Sequence, residues 1–424
     1  MPDLDEQLRS YFDALADEVT AGLADPREHR QSQRRRRAWT RAAAAAVVVL
    51  VLGVTFRIVA FGETDDDPDV VTGSSTTTGP VRGRWRDLPT TLGDVPELSP
   101  FAAAIDEDRV LVVNLTNGGQ DVAGEIIDLA SGEATAIAPS HLEWRAFPAV
   151  AWTGTELIVV GGSNGPGIDT AGAAYDPATD SWRPVAPPPG FVAGRSEGAV
   201  GPGVWTGHEL VSWRSGLAYD PATDSWREIA EAPLAPRTDE VVVAVPQGVL
   251  VWGGCDSTRG ICDDDRTAPF TDGAFYDPAA DTWTMLPAGP LGGGFRGVAA
   301  WTGDEVVIVV SDPADDGRPS VAAFDPATKG WRTLPAPPEG APTGASTLVW
   351  TGSDLVLWGG YLGSDLTTWT GAGFVLDPRT GTWRALEPSG DPRRGHTALW
   401  TSHGLFVAGG DPVARPALFT PADR

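Results

Sequence analysis

The chain reads AVAWTGTELIVVGG at 149–162 and AAYDPATDSWRPVAPPP at 173–189, and both segments recur in the residues that follow. The first returns at 204–213, 299–310, 348–360 and 398–410, and the second at 217–233, 274–290, 322–338 and 374–390. The tryptophan of the second segment recurs after 44, 57, 48 and 52 residues, at Trp182, Trp226, Trp283, Trp331 and Trp383. A repeat of about 50 residues with variable insertions is typical of a β-propeller rather than a helical solenoid.

Each segment has the pattern of a β-hairpin. In AWTGTELIVV, apolar residues that alternate with polar ones flank a Thr-Gly turn. In AYDPATDSW, Asp-Pro begins a tight turn between two strand-like runs. Two hairpins make one four-stranded antiparallel blade with strands A to D. The recurring aspartates are therefore interpreted as turn formers: Asp176, Asp220, Asp277, Asp325 and Asp377.

These units resemble Kelch-type repeats, as in the central domain of galactose oxidase. A Gly-Gly doublet follows strand B at 161–162, 253–254, 359–360 and 409–410. An aromatic residue precedes the C–D turn and a tryptophan follows it: Tyr175 with Trp182, Tyr219 with Trp226, and Tyr276 with Trp283. The resemblance covers residues 84–424 and implies the fold, but not one function, because such propellers include enzymes, adaptors and sensors. The doublet is missing at 212–214 and 310–312.

The sequence predicts an all-β fold with seven blades. A degenerate first blade covers 100–139, and five full blades follow at 147–189, 198–234, 241–289, 297–338 and 345–388. The last blade starts at His396 and has strands A, B and C only. RWRDLP at 84–89 matches the strand D segments of other blades, so we expect this N-terminal strand to complete the last blade and close the ring. The alternative is a stray tryptophan in a linker.

Residues 1–38 precede the repeats and contain one amphipathic pattern, over residues 3–24. Its apolar residues recur every three or four positions: Leu4, Leu8, Tyr11, Phe12, Leu15, Val19 and Leu23. Such a helix either lies in water or on a membrane surface, or docks onto a cytoplasmic partner protein.

Residues 39–61 are predicted to form a transmembrane helix. The apolar run from Ala42 to Phe61 is interrupted only by Arg57 and is about long enough to cross a bilayer. The arginines at 34–37 and Arg41 place the N-terminus in the cytoplasm and the repeats outside it. A cleaved signal peptide is the alternative, but no small-residue cleavage site follows the run. Residues 62–83 are rich in Asp, Thr, Ser, Gly and Pro and are predicted to be a flexible linker.

Composition excludes nucleic acid as a main partner. The chain carries 57 acidic and 31 basic residues, and its formal net charge is −26. Phosphate binding needs clustered Lys and Arg, and Lys329 is the only lysine. At 42%, the hydrophobic residues suffice for a core.

The long insertions fall in the B–C loops, which share one face of the predicted ring with the D–A connections. The linker enters at the start of a D strand, so it should join the opposite face. The candidate ligand-binding residues are Asp263, Asp264, Asp265, Tyr361, Asp365 and Trp369, in insertions of blades four and six. Two alternatives remain, namely that the acidic loops are simply solvated and that Asp263 to Asp265 bind calcium, although no EF-hand-like spacing is present.

Cys255 and Cys262 are the only cysteines, and their place in one loop of an exported domain predicts a disulfide. No catalytic residue, metal site or cofactor is predicted. Enzymes like galactose oxidase need a copper site with Tyr and His ligands and a Tyr–Cys crosslink, and neither cysteine lies in a separate strand for that role.

The sequence thus predicts a single-pass cell-membrane protein whose extracytoplasmic propeller is a non-enzymatic binding module for a protein or a glycan. The N-terminal helix would pass a signal to a cytoplasmic partner. One alternative is an extracytoplasmic enzyme of the galactose oxidase or lyase type. Another is a transmembrane regulator of the anti-sigma kind, although its usual His and Cys zinc motif is missing from residues 1–38.

Overall fold

The computed structural model describes residues 79–92, 100–115, 122–143, 145, 147–162, 172–189, 200, 202–256, 269–293, 295–312, 317–363, 367–412 and 414–422. The predicted amphipathic helix, the predicted transmembrane helix and the linker up to residue 78 lie outside these ranges. Within the ranges, no helix is both long enough and apolar enough to span a bilayer.

The described residues form thirty β-strands. Strand β1 (Gly83–Asp87) comes first, and each later blade takes its strands in chain order. Blade one consists of β2 (Phe101–Ala104), β3 (Arg109–Asn114), β4 (Ala123–Asp128) and β5 (Ala134–Ala136). Blade two consists of β6 (Ala149–Trp152), β7 (Leu157–Val160), β8 (Gly172–Asp176) and β9 (Ser181–Val185). Blade three consists of β10 (Val204–Trp205), β11 (Leu210–Ser212), β12 (Leu217–Asp220) and β13 (Ser225–Glu228).

Blade four is extended by a two-stranded ladder of β14 (Arg237–Thr238) with β17 (Cys255–Asp256). Its main strands are β15 (Val241–Val245), β16 (Gly248–Trp252), β18 (Gly273–Asp277) and β19 (Thr282–Met285). Blade five consists of β20 (Phe295–Trp301), β21 (Val306–Asp312), β22 (Arg318–Asp325) and β23 (Gly330–Leu334). Blade six consists of β24 (Thr347–Trp350), β25 (Leu355–Leu362), β26 (Thr368–Asp377) and β27 (Thr382–Leu386). Blade seven consists of β28 (Thr397–Thr401), β29 (Gly404–Ala408) and β30 (Ala417–Pro421), and β1 is its fourth strand.

The protein is a seven-bladed β-propeller, as the repeat predicts. Each blade is a four-stranded antiparallel sheet, and sequence order is kept in six of them. In the seventh, β1 pairs with β30 so that Trp85 faces Phe419. The predicted closing strand is therefore confirmed, and the alternative of a stray linker tryptophan is wrong.

The hydrophobic core is divided among the junctions between blades. The two faces of strand B pack against the blades on either side of its own blade, which is why LIVV of β7 is buried at all four positions. One hydrophobic cluster joins each consecutive pair of blades, and a seventh joins blade seven to blade one through Leu88, Val112 and Phe406. Because every blade is covered on both sides, the ring has no blade with an unpaired apolar face.

Each recurring tryptophan connects its blade to the preceding blade through a hydrogen bond. The indole Nε1 of each donates a hydrogen bond of 2.6–3.0 Å to a backbone carbonyl just after strand D of the preceding blade. The donors are Trp182, Trp226, Trp283, Trp331, Trp383 and, in the closing strand, Trp85. The tryptophan that marks the repeat in sequence is thus an inter-blade contact.

The recurring aspartates form the C–D turns, as predicted. The carboxylate of Asp176 accepts hydrogen bonds from the Ala178 backbone N–H and the Thr179 hydroxyl. The other four repeat the bond to the backbone two residues on. A side chain that caps its own turn in five blades needs no ligand to explain it.

Candidate functional site

The predicted binding residues divide between described and undescribed parts of the chain. Asp263, Asp264, Asp265 and Asp365 lie outside the described residues, so their role stays a prediction. Tyr361 and Trp369 are both described, and the structure brings them together as directly opposed residues of β25 and β26.

The sequence predicts a B–C loop for the insertion of blade six, but most of its described residues extend the two strands instead. Strand β25 continues to Leu362 and β26 begins at Thr368, so blade six carries a long hairpin here. Thr, Trp and Tyr favour a half-exposed strand, and this preference outweighs the loop-like character of the insertion. The ladder is interrupted by an irregularity between Trp358 and Gly360, where Gly359 and Gly360 have φ of 65° and 101°. A bulge of this kind redirects the hairpin beyond it.

Arg394 contacts both aromatic residues. It lies in the connection before strand A of blade seven. Its guanidinium donates a 2.7 Å hydrogen bond to the Tyr361 hydroxyl and makes a 2.6 Å ion pair with Asp411. The same group lies 5.5 Å from the Tyr361 ring centre and 5.2 Å from that of Trp369, within the range of cation–π attraction. We call Tyr361, Trp369, Arg394 and Asp411 the aromatic–arginine cluster.

The backbone fixes the geometry of the cluster. Arg394 and Asp411 exchange two backbone hydrogen bonds of 3.0 Å, and the Tyr361 N–H donates to the Gly344 carbonyl at 2.8 Å. Connections before strand A and residues after strand B therefore meet at one end of the blades, as expected for the B–C/D–A face. Held in this way, the side chains need little ordering when they bind something.

The cluster is accessible and charged. The side chains of Arg394 and Asp411 are 29% and 33% exposed, Trp369 is half-buried, and Tyr361 is buried at 9% exposure. Burial alone would lower the pKa of Arg394, but the bonds to Asp411 and Tyr361 outweigh burial and raise that pKa, so the guanidinium stays charged. The cluster presents the exposed part of Trp369 beside a balanced ion pair.

Beneath the cluster lies a buried layer that supports it. Arg393 donates to the carbonyls of Gly409 and Arg415 at 3.4 and 3.1 Å. His396 shares a 3.0 Å hydrogen bond between Nε2 and the Thr347 hydroxyl and packs edge-on against Trp358. Burial, helped by the positive charge of Arg393, lowers the pKa of His396 to about 3, so its ring is neutral.

The buried arginine recurs and is structural. Arg145, Arg237 and Arg393 are at most 1% exposed, and each donates to the carbonyl of the first glycine in its blade's doublet. Arg394 is the next residue and points to the surface instead. Sequence reasoning missed Arg394 and Asp411, although the pair Arg393-Arg394 before the strand A of blade seven was a usable signal.

The opposite face has its own contacts. The A–B turns of blades seven and one meet there, where His403 Nε2 lies 2.7 Å from Asp108 Oδ1. A pocket of about 200 Å³ lies between blades six and seven, beside Asp354, Arg384 and Trp400. The chain enters at this end, because Gly83 pairs with Pro421 and Val81 bridges to Leu386.

Cys255 is buried in β17. No free cysteine occurs among the described residues, and Cys262 lies outside them, so the predicted disulfide stays a prediction. In the described ranges, no three His, Cys, Asp or Glu side chains converge as metal ligands would.

A protein-family model matches part of the chain. Residues 145–189, which include strands β6 to β9 of blade two, match the family model of the Kelch motif. No curated protein sequence matches the chain significantly.

Proposed function

We propose that this Kelch-type β-propeller is the extracytoplasmic, protein-binding part of a single-pass membrane protein, and that it binds through the B–C/D–A face at the aromatic–arginine cluster. Kelch propellers are generally protein-binding modules. The proposal adds the face, the residues and the side of the membrane to that general role.

The cluster is the observation that carries the proposal. Trp, Tyr and Arg are the residue types that contribute most to protein interfaces, since each combines a large contact area with a polar group. Here all three occur together, and Arg394 lies within 5.5 Å of both ring centres. A partner that covers the cluster would bury the exposed part of Trp369 while the ion pair between Arg394 and Asp411 stays intact.

The entry of the chain supports the choice of face. Residues 79–83 approach at the A–B/C–D end, so the chain that leads to the predicted anchor leaves the B–C/D–A face free for a partner. The apolar run at 42–61 and the arginines before it support such an anchor. Occupancy would be passed to a cytoplasmic partner through residues 3–24, and a glycan is the competing ligand.

The test is photo-crosslinking in the full chain. A photoreactive phenylalanine analogue at position 369 should capture a protein in the cell that makes the chain, whereas the same analogue at His208, in an exposed A–B turn, should not. With that protein in hand, Trp369→Ala should weaken binding about 30-fold, as expected for a central interface residue. Arg394→Lys should also weaken binding, because lysine keeps the charge but loses the planar group.

His208→Ala is the matched control and should change affinity less than about twofold. Capture at 208 alone, or equal affinity of the Trp369 variant, would refute the proposed face. Capture of carbohydrate at 369 would support a glycan ligand and refute the protein.

A further inference from the structure

Phe147 is the most exposed large hydrophobic residue among those described. Its side chain is 78% exposed, and the next such residue, Met285 on the outer strand of blade four, is 44% exposed. Single exposed apolar residues are common. Phe147 differs from them in its backbone and in its buried neighbours.

The backbone of Phe147 is left-handed, with φ of 55°. The position is two residues after the buried arginine of the blade, and the same position is left-handed in blades four, six and seven, where Asp239, Ala345 and Gly395 occupy it. Glycine is the residue that adopts this conformation without strain, and a bulky side chain there is a true outlier. Blade two therefore keeps a phenylalanine where the repeat disfavours one.

The nearest described neighbours of Phe147 on either side, Arg145 and Pro148, are buried. Arg145 is fully buried and donates to the carbonyls of Gly161 and Glu143 at 3.1 Å, while its own N–H donates to the Leu115 carbonyl at 2.8 Å. Pro148 follows and is also buried. The exposed aromatic ring thus lies between two buried residues of the same connection.

Equivalence within the repeat places Phe147 on the B–C/D–A face. Its counterpart in blade seven, Gly395, directly follows Arg394 of the aromatic–arginine cluster. Arg394 and Asp411 flank strands of blade seven, which only blade one separates from blade two, whereas Tyr361 and Trp369 lie one blade further away in blade six. A partner that extends across blade one would contact Arg394 and Phe147 together. Strain and exposure retained at one position are the marks of a functional residue.

We infer that Phe147 is a second anchor for the protein bound at the aromatic–arginine cluster, and that this partner offers an apolar pocket with a basic rim. The inference rests on the proposed function. The basic rim follows from charge, since the chain has a net charge of −26 and Glu143 is exposed four residues before Phe147. The same negative charge repels a second copy of this chain and an anionic membrane surface, so neither is expected to bind at Phe147.

The experiment places the photoreactive phenylalanine analogue at position 147 of the full chain and compares it with positions 369 and 285. We expect positions 147 and 369 to capture the same protein, with an isoelectric point above about 8, and position 285 to capture none of it. Phe147→Gly should then weaken binding of that protein at least tenfold, whereas Met285→Ala should leave binding unchanged. Loss of an anchoring aromatic side chain produces an effect of this size.

The same variant has a second readout that needs no partner. Phe147→Gly should raise the melting temperature by about 2 °C, because glycine relieves the left-handed residue. Ala345→Gly is the matched control for the backbone alone and should also raise it. A variant that melts higher yet binds worse cannot be explained by partial unfolding.

The outcomes separate the two hypotheses. Capture at 369 without capture at 147 would overturn this inference and leave the proposed function standing. Capture at neither position would overturn both. Capture of a second copy, a lipid or an acidic protein at 147 would overturn the inferred partner.

Discussion

His396 shows at the residue scale how the buried layer under the candidate site responds to pH. Burial and the neighbouring Arg393 lower its pKa from 6.5 in the unfolded chain to about 3 in the fold. Below about pH 6.5 the unfolded chain therefore binds a proton that the folded chain does not, and stability is lost as the pH falls. Between pH 7 and pH 5 this residue should cost about 2 kcal/mol.

The measurement is urea unfolding of the protein and of His396→Gln at several pH values. The variant should be the less stable protein at pH 7, and its deficit should shrink by about 2 kcal/mol at pH 5. His208→Gln, at an exposed turn, is the control for losing a histidine. A deficit that stays constant with pH would contradict the low pKa.

Single residues were also where sequence reasoning was weakest. Tyr361 and Trp369 were found because they lie close together in one insertion. Arg394 and Asp411 lie 33 and 50 positions beyond Tyr361, and only the packing of blade seven on blade six brings them near it. The left-handed backbone at Phe147 could not be predicted, because phenylalanine disfavours that conformation.

At the scale of the strand, the strand D tryptophan of blades two to seven links each of these blades to the one before it. Trp226 Nε1 donates a 2.6 Å hydrogen bond to the Ala186 carbonyl of blade two, and its ring packs against Tyr219. Trp226→Phe keeps an aromatic ring but removes the donor, so we expect a loss of about 1 kcal/mol in the free energy of unfolding. Met285→Ala, on the outer strand of blade four, should cost much less, and equal losses would show that the hydrogen bond contributes nothing.

Hairpins were predictable because their signals are local. Thr-Gly marks the A–B turn of blades two, three, five and six, and Asp-Pro marks the C–D turn of blades two to six. Together with alternating apolar residues they specify these strand pairs within about 20 residues, and the strands follow the predicted order. The extended part of the blade six hairpin was not predicted, because a glycine doublet usually indicates the end of strand B. In the fold the register shifts at the doublet, and pairing resumes at Gly360.

At the scale of the whole molecule, the ring depends on the segment that joins blade seven to blade one. Strand β1 completes blade seven, and Leu88 packs into the cluster shared with blade one. Thr90 and Thr91 then supply three hydrogen bonds to the carboxylate of Glu125, which is fully buried in blade one. Blade one lacks the strand D tryptophan, so these contacts take the place of the indole hydrogen bond at that junction.

Removal of this segment tests whether closure stabilises the molecule. We expect a chain that begins at residue 98 to aggregate or to melt more than about 10 °C below one that begins at residue 80, because strand β30 loses its partner and Glu125 its donors. Since deletion could act through misfolding alone, a milder variant replaces Thr90 and Thr91 with valine. It keeps β1 and removes only the two hydroxyl donors, so it should lose about 1–3 kcal/mol in urea unfolding. Equal melting of the two chains would mean that β1 does not close the ring, and an unchanged valine variant would mean that Glu125 does not fasten it.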